Sequence, residues 1–399
     1  MDITIHPGPL GGSINIIPSK SQAHRLLICA AFADKPTDLI CPETNRDIEA
    51  TAACLNALGA SIRRTDTGYC IHPCNTPRQK AVLNCGESGS TLRFLLPVAS
   101  ALGVETTLKM EGRLPQRPLS PLWEEMERMG CSLKWIAPDT LLVTGKLRAG
   151  DYCIDGGVSS QFITGLLFAL SLLEGDSRIH ITGKLESAPY VDMTLAAMAK
   201  FGIKTQDFAI KGGQIYHSPG TLSVEGDWSN GAFFLVAKAL GSNLEVLGLD
   251  PNSPQGDRAV LDALRQLAAK NVTISAADIP DLIPILSVFA AVNHGAVFTD
   301  IRRLRLKESD RVASVIEMLA SSGGKAVATE DTLTVFGTGL TGGTVDSCND
   351  HRIAMSAAIA ATVCTAPVTI TGAQCVSKSY PQFWAEYARL GGKYEQYLR

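Results

Sequence analysis

The chain has no surplus charge of either sign: 36 basic side chains face 39 acidic ones, for a formal net charge of -3. So small a field attracts neither nucleic acid nor an anionic membrane, and any anion site must be built locally. Long apolar runs are also missing. The longest stretches, 166–173 and 353–364, contain polar breaks and fall short of the ~20 residues a membrane helix needs, so they read as buried helices. Residues 1–11 show no basic region followed by an apolar core, so no export signal is expected. Cysteine is plentiful, eleven in all, but scattered. Its closest pair, Cys70 and Cys74 around His72, lacks the second pair that would complete a zinc tetrahedron. Reduced thiols packed as small hydrophobes, in a cytoplasmic protein without a metal, are the expectation.

What is present is core-forming material. Apolar residues make up 45% of 399 and charged residues 19%, enough to bury two large globules at roughly 100 to 200 residues per domain. A repeat organises them. A polar turn followed by a helix of small apolar residues recurs six times, at SKSQAHRLLICAAFA, ESGSTLRFLLPVASAL, SSQFITGLLFALSLL, DWSNGAFFLVAKAL, DLIPILSVFAA and NDHRIAMSAAIAATV. Anchored on Ser21, Ser90, Ser160, Ser229, Asp281 and Asp350, the spacings are 69, 70, 69, 52 and 69 residues. Short β-like segments (141–144, 332–335) and second helix-like stretches (48–58, 119–129) fill the intervals, so the repeat is of the α/β type.

Ser, Asp and Asn at a helix start ordinarily accept hydrogen bonds from unpaired backbone N–H groups. Six such starts gathered on one side would do more, because helix N-termini carry partial positive charge and bind anions. Cations sit at or near these positions: Lys20, Arg25, Arg93 and Arg352 at the starts, and Arg117, Lys307, Arg311 and Lys378 in loops. In a near-neutral chain, without a basic run interleaved with aromatics, this pattern favours a multiply charged small molecule over a polymer.

Ten segments then carry a resemblance over the whole chain: PSKSQAHR, GESGSTLR, LPQRP, GGVSSQF, ESAPYVDMT, VEGDWS, IPDL, LRLKESDR, NDHRIAM and SKSYP, in this order. They resemble the enolpyruvyl transferase family, and within it the branch acting on shikimate 3-phosphate. The resemblance implies an α/β fold of two globules, each of three βαβαββ units with helix N-termini facing the interdomain cleft. It puts the first globule at 15–224 and the second at 1–14 with 225–399. It implies transfer of the enolpyruvyl group of phosphoenolpyruvate to the 5-hydroxyl of shikimate 3-phosphate, with two anionic substrates, no cofactor, no nucleic acid or membrane partner, and a monomeric protein.

Carried over position by position, Lys20, Ser21, Arg25, Ser159, Ser160, Gln161, Ser187, Tyr190, Asp281 and Lys307 are expected to hold shikimate 3-phosphate. Lys20, Gly89, Arg93, Arg117, Gln161, Arg311, His351, Arg352 and Lys378 are expected around phosphoenolpyruvate. Asp281, Glu308 and Lys20 are the expected catalytic groups, since addition and elimination need both a proton acceptor and a proton donor. The chain departs from the usual family pattern at Glu87-Ser88-Gly89-Ser90, where Asn-Ala-Gly-Thr is common, and at Phe94, where proline is common. Glu87 puts a negative charge beside the anion site, and a pairing with Arg93 would offset it. The resemblance implies that this loop abuts the phosphoenolpyruvate site, so the altered residues leave affinity for phosphoenolpyruvate, and for its competitor glyphosate, unpredicted by the family pattern. Two other readings are a transferase acting on UDP-N-acetylglucosamine, disfavoured because no cysteine lies between Glu111 and Pro121, and a non-catalytic anion-binding paralogue.

Overall fold

A computed structural model of the chain describes residues 1–397. It divides into two compact units, Pro18–Val224 and Met1–Ile17 with Glu225–Arg399.

Pro18–Val224 holds helices α1 (Lys20–Ala31), α2 (Arg46–Leu58), α3 (Gly89–Leu102), α4 (Leu122–Arg128), α5 (Ser160–Leu170) and α6 (Ala188–Lys200). Three four-stranded sheets share one design, a parallel pair continued by two antiparallel strands. In one of them Lys80–Asn84 runs parallel to Glu105–Lys109, which pairs with Thr140–Gly145, itself antiparallel to Cys131–Ala137. Side chains alternate across each strand, so Ala81 and Leu83 are buried while Lys80, Val82 and Asn84 are exposed. The first sheet is closed by Thr221–Ser223, which pairs with Thr37–Ile40 from the start of the unit. Helices α1, α3 and α5 are buried nearly all round, as sequences this rich in small and apolar residues require. Where α3 crosses α5, Pro97 has no amide to bond the carbonyl of Arg93, and Gly165 packs onto that carbonyl; a β-carbon there would stand 2.2 Å from it.

The other unit contains α7 (Trp228–Ala239), α8 (Val260–Leu267), α9 (Ile283–Val292), α10 (Arg311–Ser321), α11 (His351–Ala361) and α12 (Phe383–Arg389). Two of its sheets repeat the four-stranded design. One of these gathers both ends of the described chain, with Asp2–His6 lying between Val368–Thr371 and Lys393–Tyr397. The third sheet is reduced to Gly11–Asn15 beside Asn243–Leu247. This repeat is the one with the 52-residue spacing, and only residues 268–272 separate α8 from the next strand, Thr273–Ser275. The antiparallel pair found in the other repeats is therefore missing, and the unit departs from three equal βαβαββ repeats at that point. Helix α11 is buried at every residue and packs on α9, α7 and α10 in this unit's own core.

The polar helix starts do cap. Ser19, Ser88, Ser159, Asp227 and Asp350 each accept a hydrogen bond from an amide in the first turn of α1, α3, α5, α7 and α11. Each such cap contributes about 1 kcal/mol. The sixth start differs: α9 is preceded by Leu282 without a side-chain cap and carries Pro284 in its first turn, which leaves the Asp281 carboxylate for other partners.

Candidate active site

Within Pro18–Val224 the hydrogen bonds run between helix beginnings. Lys20, the first residue of α1, reaches Asp47 in the first turn of α2 at 2.9 Å. Arg25, one turn further along α1, is 2% exposed and each guanidinium nitrogen donates once: Nε to Thr194 Oγ1 (2.8 Å), Nη1 to the Ser21 carbonyl (2.6 Å) and Nη2 to the Tyr190 carbonyl (2.8 Å). Its guanidinium also lies 5.2 Å from the Phe94 ring centre. Burial lowers its pKa to about 10. Arg25 thus joins the Ser21 backbone on α1 to the Tyr190 backbone in the first turn of α6. Ser187, buried just before α6, adopts a left-handed backbone (φ 57°), which a side chain tolerates only when its surroundings enforce it.

A second group forms at α3 and α5. Arg93 donates to Gln161 Oε1 and to the Pro118 carbonyl, both at 3.1 Å, and Gln161 Nε2 donates to Ser90 Oγ at 3.0 Å. Ser159 caps α5 and Ser160 opens it. Gly89 lies beneath two arginines: a β-carbon there would stand 2.7 Å from Arg117 Nη1 and 2.8 Å from Arg93 Nη1. Glycine therefore lets both guanidinium groups close on the start of α3. Glu87 turns its carboxylate against Gly112, where a β-carbon would meet Oε2 at 2.5 Å.

In the other unit Asp281 is the hub. Its Oδ1 accepts from Arg311 Nη1 at 2.6 Å and lies 3.5 Å from Lys307 Nζ, while Oδ2 accepts from Arg352 Nη2 at 2.9 Å. Arg311 is 1% exposed and also binds Glu308 (2.6 Å) and Asp350 (2.9 Å), so the starts of α9, α10 and α11 are tied together by charge. His351 is buried beside Asp350, with Nδ1 3.9 Å from Oδ1, and Lys378 donates to the Asn349 carbonyl at 2.8 Å. Lys20 belongs to one unit, and Asp281 and Glu308 to the other.

Burial is the largest influence on Asp281 and favours its neutral form, but the charges of Arg352, Lys307 and Arg311 prevail and hold it well below the usual carboxylate range. Burial lowers Lys307 to about 8 despite the attraction of Asp281. Asp257, 4% exposed at a short helical turn (Gly256–Ala259), is raised to about 6 by burial first and then by the charge of Asp281. Neither Asp47 nor Asp257 stood out in the sequence. Asp47 looks like an ordinary acid in a helix first turn, and only the fold shows that it holds Lys20. Asp257, directly followed by Arg258, looks like one half of a solvated surface ion pair.

Repeated βαβ-type units in two compact bodies match the enolpyruvyl transferase class of fold. A solved enolpyruvyl transferase from Streptomyces tendae, NikO, superposes with a TM-score of 0.76 at 17% identity, over 99% of this chain and 98% of that one. An EPSP synthase structure from Acinetobacter baumannii gives 0.80 at 24% identity, over 99% and 100%. The family profile described as EPSP synthase (3-phosphoshikimate 1-carboxyvinyltransferase) matches residues 5–387. Relatives named 3-phosphoshikimate 1-carboxyvinyltransferase include those of Clostridium kluyveri, 40% identical over 99% of this chain and 98% of its own, and Clostridioides difficile, 35% identical over 99% and 98%. The chain belongs to the EPSP synthase family.

Proposed function

We propose that this chain transfers the enolpyruvyl group of phosphoenolpyruvate to the 5-hydroxyl of shikimate 3-phosphate, releasing inorganic phosphate, as the names of its relatives indicate. The observation that carries this reading is the cluster of Lys307, Arg311 and Arg352 around Asp281, a set of donors suited to phosphate and carboxylate oxygens. In this reading residues of both units bind the substrates. Lys20, Ser21, Arg25, Ser159, Ser160, Gln161, Ser187 and Tyr190 hold shikimate 3-phosphate, with Asp281 and Lys307 from the other unit. Gly89, Arg93, Arg117 and Gln161 meet phosphoenolpyruvate together with Lys20, Arg311, His351, Arg352 and Lys378. Arg25 also fixes the Ser21 and Tyr190 backbones beside shikimate 3-phosphate.

The chemistry proceeds by addition and elimination. The 5-hydroxyl oxygen bonds to C2 of phosphoenolpyruvate as its proton passes to Asp281, and C3 takes a proton from Lys20 or Glu308. The tetrahedral intermediate then loses phosphate from C2 and a proton from C3, restoring the double bond. With its cations in place Asp281 is a weak base; anions that take over Arg311 and Arg352 would raise its proton affinity when the acceptor is needed. Phosphate release measured with both substrates, and with each omitted in turn, tests the proposal. Release that requires a UDP-sugar instead of shikimate 3-phosphate would move the chain to the sister branch, and no release with any acceptor would leave a binding protein.

A further inference from the structure

One continuous hydrogen-bonded chain crosses the interior of Pro18–Val224 and ends at the cap of α3. His24 Nδ1 lies 2.7 Å from Thr51 Oγ1, which lies 2.7 Å from Thr91 Oγ1, which donates to Ser88 Oγ at 2.7 Å. The four residues are 0%, 0%, 0% and 1% exposed, and they join α1, α2 and α3. Proton counting fixes the direction. A hydroxyl has one proton, and Thr91 turns its own to Ser88 Oγ (2.7 Å) or, less closely, to the Asp47 carbonyl (3.4 Å), while Ser88 Oγ also accepts from the Thr91 amide (3.2 Å). Thr51 must therefore donate to Thr91, and His24 Nδ1–H must donate to Thr51.

The remaining ring nitrogen, Nε2, is then unprotonated, and it has no hydrogen-bond partner among the described residues. A neutral ring suits the site, because burial and the nearby Lys20 and Arg25 charges push the imidazole well below its usual pKa. The ring of Phe94, on α3, meets His24 edge-on at 6.4 Å between centres while its face lies under Arg25. Ser88, Thr91 and Phe94 all lie in the segment where the chain departs from, or directly adjoins departures from, the usual family pattern.

We propose that His24, Thr51, Thr91 and Ser88 form a positioning network that fixes the Ser88-Gly89-Ser90 turn against α1, and thereby sets the affinity for phosphoenolpyruvate. This rests on the reading that Gly89, Arg93 and Arg117 hold that substrate. An uninterrupted buried chain is what makes the link stiff: the Thr51 and Thr91 hydroxyls each donate and accept along it, so losing one member leaves its neighbours with unmet polar groups in an apolar interior.

The test is phosphate-release kinetics and thermal unfolding on the full chain. Thr51→Val and Thr91→Val keep the shape and remove the link; Ser88→Ala installs the residue usual in the family and folds even if a buried valine does not. Each should raise KM for phosphoenolpyruvate roughly 3- to 10-fold, with kcat and KM for shikimate 3-phosphate within about twofold of the parent. His24→Leu should behave alike, and His24→Asn, whose amide can replace Nδ1–H, should restore the parent value. Arg117→Ala is the reference for the underlying site. If it raises KM for phosphoenolpyruvate while the network variants do not, whatever their melting temperatures, the network is structural only and the proposal falls alone. If Arg117→Ala has no effect either, the site reading fails and takes the network's role with it. Equal impairment in His24→Asn and His24→Leu would also overturn the proposal.

Discussion

Replacing Asp281 with asparagine separates two roles that the wild-type carboxylate combines. It is the expected proton acceptor, and it also occupies donors of Arg311 and Arg352 that an incoming anion would use. Removing a general base commonly costs 10² to 10⁴ in rate, so kcat should fall by about that factor. Removing the negative charge has the opposite effect on anion binding. A hydrogen bond to a charged partner is worth ~1.5–3 kcal/mol and one to a neutral partner ~0.5–1.5, so two arginines relieved of a carboxylate gain roughly 2 kcal/mol toward a ligand, about 30-fold. Calorimetric titration with inorganic phosphate should therefore show tighter binding in Asp281→Asn while turnover collapses. The pH dependence has a definite sign. Lys307 titrates at about 8, so phosphate affinity in the parent should fall as pH rises through that value and a cation is lost. In Asp281→Asn, without the attraction that supports the ammonium, the fall should begin at lower pH. Weaker phosphate binding at all pH values, or a near-normal kcat, would refute the reasoning.

Gly89→Ala should raise KM for phosphoenolpyruvate and spare that for shikimate 3-phosphate in steady-state assays, because a β-carbon would crowd Arg117 and Arg93 at 2.7 and 2.8 Å. Gly165→Ala forces α3 from α5 by meeting the Arg93 carbonyl at 2.2 Å, and should cost ~1–3 kcal/mol, read as a lower unfolding midpoint in urea. Asp257 binds its proton more tightly when folded, at about 6 against an ordinary 3.8, so its contribution to stability is full below pH 4 and is lost as pH rises through 6. Asp257→Asn should accordingly be more stable than the parent at pH 7.5, by on the order of 2–3 kcal/mol, with the advantage gone below pH 4 in thermal melts.

Much of the architecture could be read from local pattern. The six small-residue helices announced themselves by polar starts and buried bodies, and the second helices at 46–58 and 122–128 by apolar periodicity. The 52-residue spacing marks the shortened repeat, in which Asn243–Leu247 pairs with Gly11–Asn15, but a spacing alone does not say which strands are missing. Pairings of that kind, or of Asp2–His6 with Lys393–Tyr397, join residues hundreds of positions apart and leave no periodic trace in either segment. At the candidate site, cations and hydroxyls in motif positions were legible because chemistry constrains their type. The groups that control them were not. Asp47, Asp257, Thr51 and His24 act through burial and partners set by tertiary packing, and each resembles an ordinary helix residue in sequence.

Whether the two half-sites serve one ligand is best tested by calorimetric titration of phosphoenolpyruvate into the chain saturated with shikimate 3-phosphate, for the parent, Arg117→Ala and Arg352→Ala. Each variant removes a cation from a different unit. Both should weaken phosphoenolpyruvate by at least about tenfold, the loss of a charge-assisted contact. Parent affinity in either variant would contradict a shared site.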